Sequence, residues 1–139
     1  MKNLLPVLGS VVIIISLSFL GCQKDSLLVQ SNGTYNSNVI TNVPNAFSFV
    51  VTASIYNYSE THQLQINADT LAVAITITQY STGSGSIAIK DSSNSVIYQK
   101  DLGSNMVVGD VIKITEVPKT VDLALNNYSG KITIAIAGK

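Results

Sequence analysis

The stretch FSFVVTASIY, Phe47–Tyr56, decides the fold. Phe47, Phe49, Val51, Ala53 and Ile55 fall on one side of an extended chain. Ser48, Thr52, Ser54 and Tyr56 fall on the other, and only Val50 breaks the polarity of that second side. Successive side chains of a strand point to opposite faces, so this pattern reads as a strand with one face in a core. Leu71, Val73, Ile75 and Ile77 repeat it, with Ala72, Ala74, Thr76 and Thr78 between them. Shorter alternating runs lie at Leu64–Ile66, Ile87–Ile89, Val96–Gln99, Val111–Thr115, Val121–Leu125 and Ile132–Ile136.

Turn-forming sequence separates these runs. STGSGS (Ser81–Ser86), DSSNS (Asp91–Ser95), LGSN (Leu102–Asn105) and NNYSG (Asn126–Gly130) are rich in residues that tolerate positive φ or bond their own backbone. The last of them joins two alternating runs and reads as a C-terminal hairpin. No helical periodicity extends beyond a turn or two. Seven to eight short strands at this spacing predict an all-β, antiparallel β-sandwich of Ig-like or jelly-roll-like architecture.

Composition supports a dry core and narrows the partners. Of 139 residues 46% are hydrophobic and 12% charged, which is foldable rather than disordered. All eight basic residues are lysines, balanced by eight acids. Without the planar guanidinium fork and without a basic stripe, nucleic acid is not an expected partner. One cysteine excludes an intrachain disulfide framework, so stability rests on burial.

That cysteine, Cys22, ends an N-terminal segment of distinctive layout. Lys2 supplies a positive charge, and Leu4 to Leu20 then carries no charged side chain. A short basic region followed by an apolar one is the layout of a secretory signal peptide. The apolar core is short for a stable membrane span, which takes about 20 apolar residues. It ends in FLGC, Phe19–Cys22, which resembles a bacterial lipoprotein lipobox through Gly21 and Cys22, while Phe19 and Leu20 are bulkier than the usual choices. The resemblance implies cleavage before Cys22 and acylation of that residue. Each buried methylene then adds about 0.8 kcal/mol of membrane attachment, so several acyl chains anchor durably. The following CQKDS is similar to the export signal of Bacteroidota surface lipoproteins, with Lys24 and Asp25 matching and Ser26 standing where a further acid is often found. Together these imply an outer-membrane lipoprotein facing the cell surface.

The expected organisation is therefore a signal peptide over 1–21, a lipid-anchored polar tether over 22–45 and a sandwich over 46–139. Two wider resemblances accompany it. SIAIKDSSNSVIYQKDL and VPKTVDLALNNYSGKITIAIAGK are similar to small secreted β-sandwich domains of bacterial surface proteins, which implies architecture and no activity. Asp25-Ser26-Leu27 and Asp69-Thr70-Leu71 resemble the Bacteroidota O-glycosylation pattern, which implies modification at Ser26 and Thr70.

Residues for catalysis are sparse. His62, in SETHQ beside Glu60, is the only histidine, and no G-x-S-x-G elbow accompanies it, so it reads as a solvated loop residue rather than a general base. GSGSIA at Gly83–Ala88 spells a dinucleotide fingerprint but leads into a strand, not a helix, so it reads as a hairpin loop. Asp91, Asn94, Asp101, Asn105 and Asp110 are spread too widely for a calcium loop and read as turn residues that bond the backbone. One histidine and one lipid-bound cysteine leave too few ligands for zinc. Neither metal nor cofactor is expected, nor is an enzyme. The remaining candidates are Tyr56 and Tyr58, two apart on the side opposite Phe47 and Phe49. Tyrosine presents an apolar face and a polar tip suited to a sugar ring. The expected function is a lipid-anchored interaction, adhesion or assembly module whose partners are the membrane and envelope proteins. A glycan-binding lipoprotein with a tyrosine platform is the alternative.

Overall fold

The computed structural model describes residues 36–139, and its regular structure is entirely antiparallel β. The strands are β1 (Ser37–Val43), β2 (Ala46–Gln63), β3 (Thr70–Lys90), β4 (Val96–Asp101), β5 (Met106–Lys113) and β6 (Thr120–Gly138). They pair in the order β1-β2-β6-β3-β4, with β5 also pairing β3. The sequence-derived class, an all-β antiparallel sandwich, holds.

The strand count falls below the expected seven to eight because β2, β3 and β6 are 18, 21 and 19 residues long. Straight, such strands would span ~60 Å. They are not straight. The rings of Phe49 and Tyr58, both on β2, lie 5.3 Å apart, and those of Phe47 and His62 5.7 Å apart. Past the end of β2, the Gln65 carbonyl accepts a hydrogen bond from Asn45 N–H at 2.8 Å. The sheet is thus folded over along a line that crosses all three long strands, and each continues into a second layer.

The fold line is written in the backbone. Pairing of β2 with β6 shifts register between Ala53 and Tyr58, and that of β3 with β6 between Thr78 and Ser84. Ile55, Gln79, Gly83 and Asn127 have positive φ there. Bulges and left-handed residues are the usual devices by which a strand turns a sandwich corner. One layer holds β1, β5 and the halves of β2, β3 and β6 on one side of this corner. The other holds β4 and their remaining halves. Phe47, Phe49, Leu71, Ile75, Ile87, Ile89, Leu123, Tyr128, Ile132 and Ile134 fill the space between.

Three expectations change as a result. NNYSG is not a hairpin: β6 runs through it, and its two halves pair with different halves of the same neighbours. STGSGS is likewise a corner, not a hairpin loop. The polar region assigned to a tether up to residue 45 contains β1, an edge strand joined to β2 through Pro44-Asn45. Asn45 has φ 60°, as the third residue of a type II turn requires. Almost every residue of β1 is exposed, so it has no hydrophobic alternation to find. The domain therefore begins by Ser37.

Gly83 sits where corner backbones nearly touch. At φ +95°, a Cβ on it would lie 2.5 Å from the Asn127 carbonyl oxygen and 2.6 Å from Tyr128 Cα. Gly109 on β5 has open space around it. Gly83→Ala should cost about 3 kcal/mol, through overpacking against backbone and left-handed strain. Gly109→Ala should stay within about 0.5 kcal/mol of wild type, both read from urea midpoints.

Candidate binding surfaces

The corner inserts residues into β2 and reverses its facing. Up to Ala53 the odd positions point inward; beyond it the even ones do. Ile55, expected in the core, is 68% exposed, and Tyr58, expected on the surface, is 8% exposed. Tyr56 is half-buried against the core and stacks on Tyr58 at 6.0 Å. The exposed tyrosine platform is therefore corrected. Tyr58 packs on Phe49, and alternation could not be carried through a bulge the sequence does not announce.

The same reversal gathers three polar side chains. The Tyr58 hydroxyl donates to the Glu60 carboxylate at 3.1 Å and lies 2.8 Å from His62 Nε2, which donates to it when that nitrogen carries the proton. Burial, then the Glu60 carboxylate, pushes the Tyr58 hydroxyl pKa well up, so it stays protonated. His62 lies on β2 rather than in a loop, half-buried over Phe47. The cluster closes the sandwich edge where β2 is outermost in the second layer.

Several other ionisable groups have equally structural partners. On the opposite edge, the Tyr98 hydroxyl on β4 donates to Asp110 on β5 at 2.9 Å, across the layers. Burial, with Asp110 adding to it, raises that tyrosine to about 12. Asp91 is buried and accepts from the Ser93 and Ser95 amides at 2.7 and 2.9 Å, which makes it a turn residue as expected. Asn105 does similar work, accepting from the Tyr80 amide at 2.9 Å. Asp122 pairs with Lys90 at 2.6 Å and accepts from Thr61 at 2.7 Å. Among the described residues, no three His, Cys, Asp or Glu side chains converge on one point.

What faces outward differs between the layers. The second layer presents a shallow hollow lined by Ser59, Thr61, Ser84, Ser86, Ala88 and Ala124, bordered by Asp101 and Asp122. The first presents three cross-strand rows. Val39, Val50, Thr133, Thr76 and Val107 make the first, and Thr41, Ser48, Ala135, Ala74 and Gly109 the second. Val43, Ala46, Ala137, Ala72 and Val111 make the third. These rows carry no charge. Lys131 stands at one end of them, between Thr52 and Thr78. No single stretch of sequence signals this face, because its residues come from five strands and read locally as the polar side of each.

Of the sites expected from sequence, Cys22, Lys24, Asp25 and Ser26 lie outside the described residues. Thr70 opens β3, with its hydroxyl donating to Asp69 at 3.1 Å. The structure joins Tyr56 to Tyr58 but brings neither to Thr70.

No protein family matches the chain, and no curated protein matches it in sequence. Some solved structures are distantly similar to it. A protein of the Bacillus endospore appendages, described as disulfide-linked pili, is 13% identical over 78% of this chain and 95% of its own, with a TM-score of 0.38. The enzymatically active domain of bacteriophage CBA120 tailspike protein 4 is 15% identical over 78% of this chain and 18% of its own, at 0.38. The BiXyn10A CBM1 structure is 10% identical over 76% and 93%, at 0.39. At these scores the likenesses carry no functional argument.

Two measurements check this electrostatic reading. Lys90, then Thr61, holds the Asp122 carboxyl below its ordinary value of 3.8. Its contribution is thus present above that pH and lost as pH falls through 3.8 toward the folded value. Wild type should exceed Asp122→Asn by under about 1 kcal/mol at pH 7, and the gap should close below pH ~4 in acid titrations of stability. Tyr128 is fully buried, its hydroxyl has no hydrogen-bond partner among the described residues, and burial beside Tyr80 raises it to about 12. Tyr128→Phe should therefore gain about 1 kcal/mol in urea unfolding, because an unpaired buried hydroxyl is removed at little change of shape.

Proposed function

We propose that this chain is a non-catalytic, lipid-anchored module of the bacterial cell envelope that works by surface interaction. The observation that carries the reading is the division of labour among its side chains. Tyr58, Glu60, His62, Asp91, Tyr98, Asp110, Lys90 and Asp122 are committed to closing edges, capping a turn or pairing on the sheet. The outward faces are instead broad and regular, one of them uncharged over three cross-strand rows. Such a surface offers shape and backbone edges to a partner. The FLGC and CQKDS motifs supply the anchor, with Cys22 acylated and Lys24 and Asp25 directing export toward the outer membrane.

A glycan-binding role draws on the hollow in the second layer rather than on the tyrosines. Its hydroxyls and flanking carboxylates (Ser59, Thr61, Ser86, Asp101) are donors and acceptors of the kind sugars bond. The general reading needs the anchor first. Intact mass of the full chain recovered from bacterial membranes should show loss of residues 1–21 with added acyl mass for wild type. Cys22→Ala should stay uncleaved and unacylated. A wild type that retains the N-terminal segment, with no added mass, would refute the lipoprotein reading.

A further inference from the structure

We infer that β5 is a homotypic docking edge, where a second copy of this chain adds its own β5 antiparallel and extends the first layer of both molecules into one sheet. Among the described residues β5 pairs only with β3, so alternate backbone N–H and C=O groups along its other side are free to bond another strand. The edge has the features that invite addition. It is eight residues long, contains no proline, and pairs with β3 without a register shift from Thr70↔Lys113 to Ile77↔Met106. The β4 edge is shorter and interrupted by a shift between Ile89 and Lys90, and the outer half of β2 carries Glu60 and His62.

Side chains decide the occupant. Val107 is 82% exposed and Val111 66%, the highest exposures among the large apolar residues apart from Ile55. They lie two positions either side of Gly109, all on the outer face. An antiparallel pair with a two-fold axis at Gly109 sets Val107 against the partner's Val111, and Val111 against the partner's Val107. Gly109 then meets its own copy, where close backbone approach is easiest. The same register sets Asp110 opposite Val108 and Lys113 opposite Asn105, so no like charges meet. A two-fold pairing of one edge with itself closes as a dimer, whereas pairing with a different edge would propagate. β1, the other edge of this layer, carries less exposed valines, Val39 at 63% and Val43 at 44%.

This inference rests on the interaction role proposed above but not on acylation, so the two can fail separately. The test uses the full chain in detergent, oxidised and run on non-reducing gels, with wild type and its single Cys22 as background. Gly109→Cys is sterically free. Directly opposed Cβ atoms lie about 4.5–5.5 Å apart in antiparallel pairs, close enough for a disulfide to form with slight adjustment. Gly109→Cys should give a covalent dimer, and V107C/V111C should do the same. V107C alone and V111C alone should not, because each then faces a valine and its own copy is about 13 Å along the strand. In sedimentation velocity V107K/V111K, which opposes lysines, should be monomeric with an unchanged far-UV spectrum, and V107K/V111E should dimerise again. Equal cross-linking of all four cysteine variants would overturn the proposal. So would a monomeric Gly109→Cys, or a ladder of higher oligomers, which would mean pairing with β1 or another edge.

Discussion

Everything in this structure depends on the close approach of β3 and β6 where the sheet folds over. With Gly83 almost in contact with the Asn127 carbonyl and Tyr128 Cα, the two backbones meet at a distance only hydrogen permits. A sheet can double back at such a spacing only if every central strand bends there. The left-handed residues Ile55, Gln79, Gly83 and Asn127 show that they do. Ile55 is a costly choice, since a β-branched residue at φ 50° is strained by roughly 1–3 kcal/mol. Its amide is held by the Ser129 hydroxyl at 2.8 Å, which ties β2 to β6 at the bend.

Folding over leaves two long side edges to close, and polar side chains close them. Tyr98 reaches from β4 to Asp110 on β5 at one. The Tyr58, Glu60 and His62 cluster lies over Phe47 and Phe49 at the other. Burial raises both tyrosine hydroxyls, so they remain donors over the ordinary pH range. The open end, away from the corner, is tied by Asn45 N–H to Gln65 C=O at 2.8 Å and by Asn67 N–H to the Asn45 side-chain oxygen at 3.0 Å. A domain with no disulfide among its described residues is thus fastened at both side edges by hydrogen-bonded polar side chains.

The core was legible because burial imposes a period of two, and Phe47 to Ala53, Leu71 to Ile77 and Ile132 to Ile136 obey it without interruption. Corners were not legible, because Ser, Asn and Gly serve a bulge and a hairpin equally well. STGSGS and NNYSG look like ends of strands and are middles. One hidden bulge sufficed to misplace Tyr56 and Tyr58, since a one-residue slip exchanges the two faces of everything beyond it. β1 escaped for a different reason: an edge strand that turns only Ile40 toward the core leaves no alternation to read. The uncharged outer face is a property of five strands in register, which no single stretch of sequence contains.

The place of β6 has a consequence for how the chain acquires its structure. Spanning Thr120–Gly138, it lies between β2 and β3 in both layers, although it is the last strand in the sequence. Until it arrives, β2 and β3 have no partner between them and neither layer has a centre. Its pairings reach back across much of the domain, for example Ala46 with Ala137. Contacts of such sequence separation make for slow folding. A chain emerging from its N-terminus can pair β1 with β2 and β3 with β4 and β5, but it completes neither layer before β6 is free. Topology alone thus makes closure of both layers a late event, set by the arrival of one central strand.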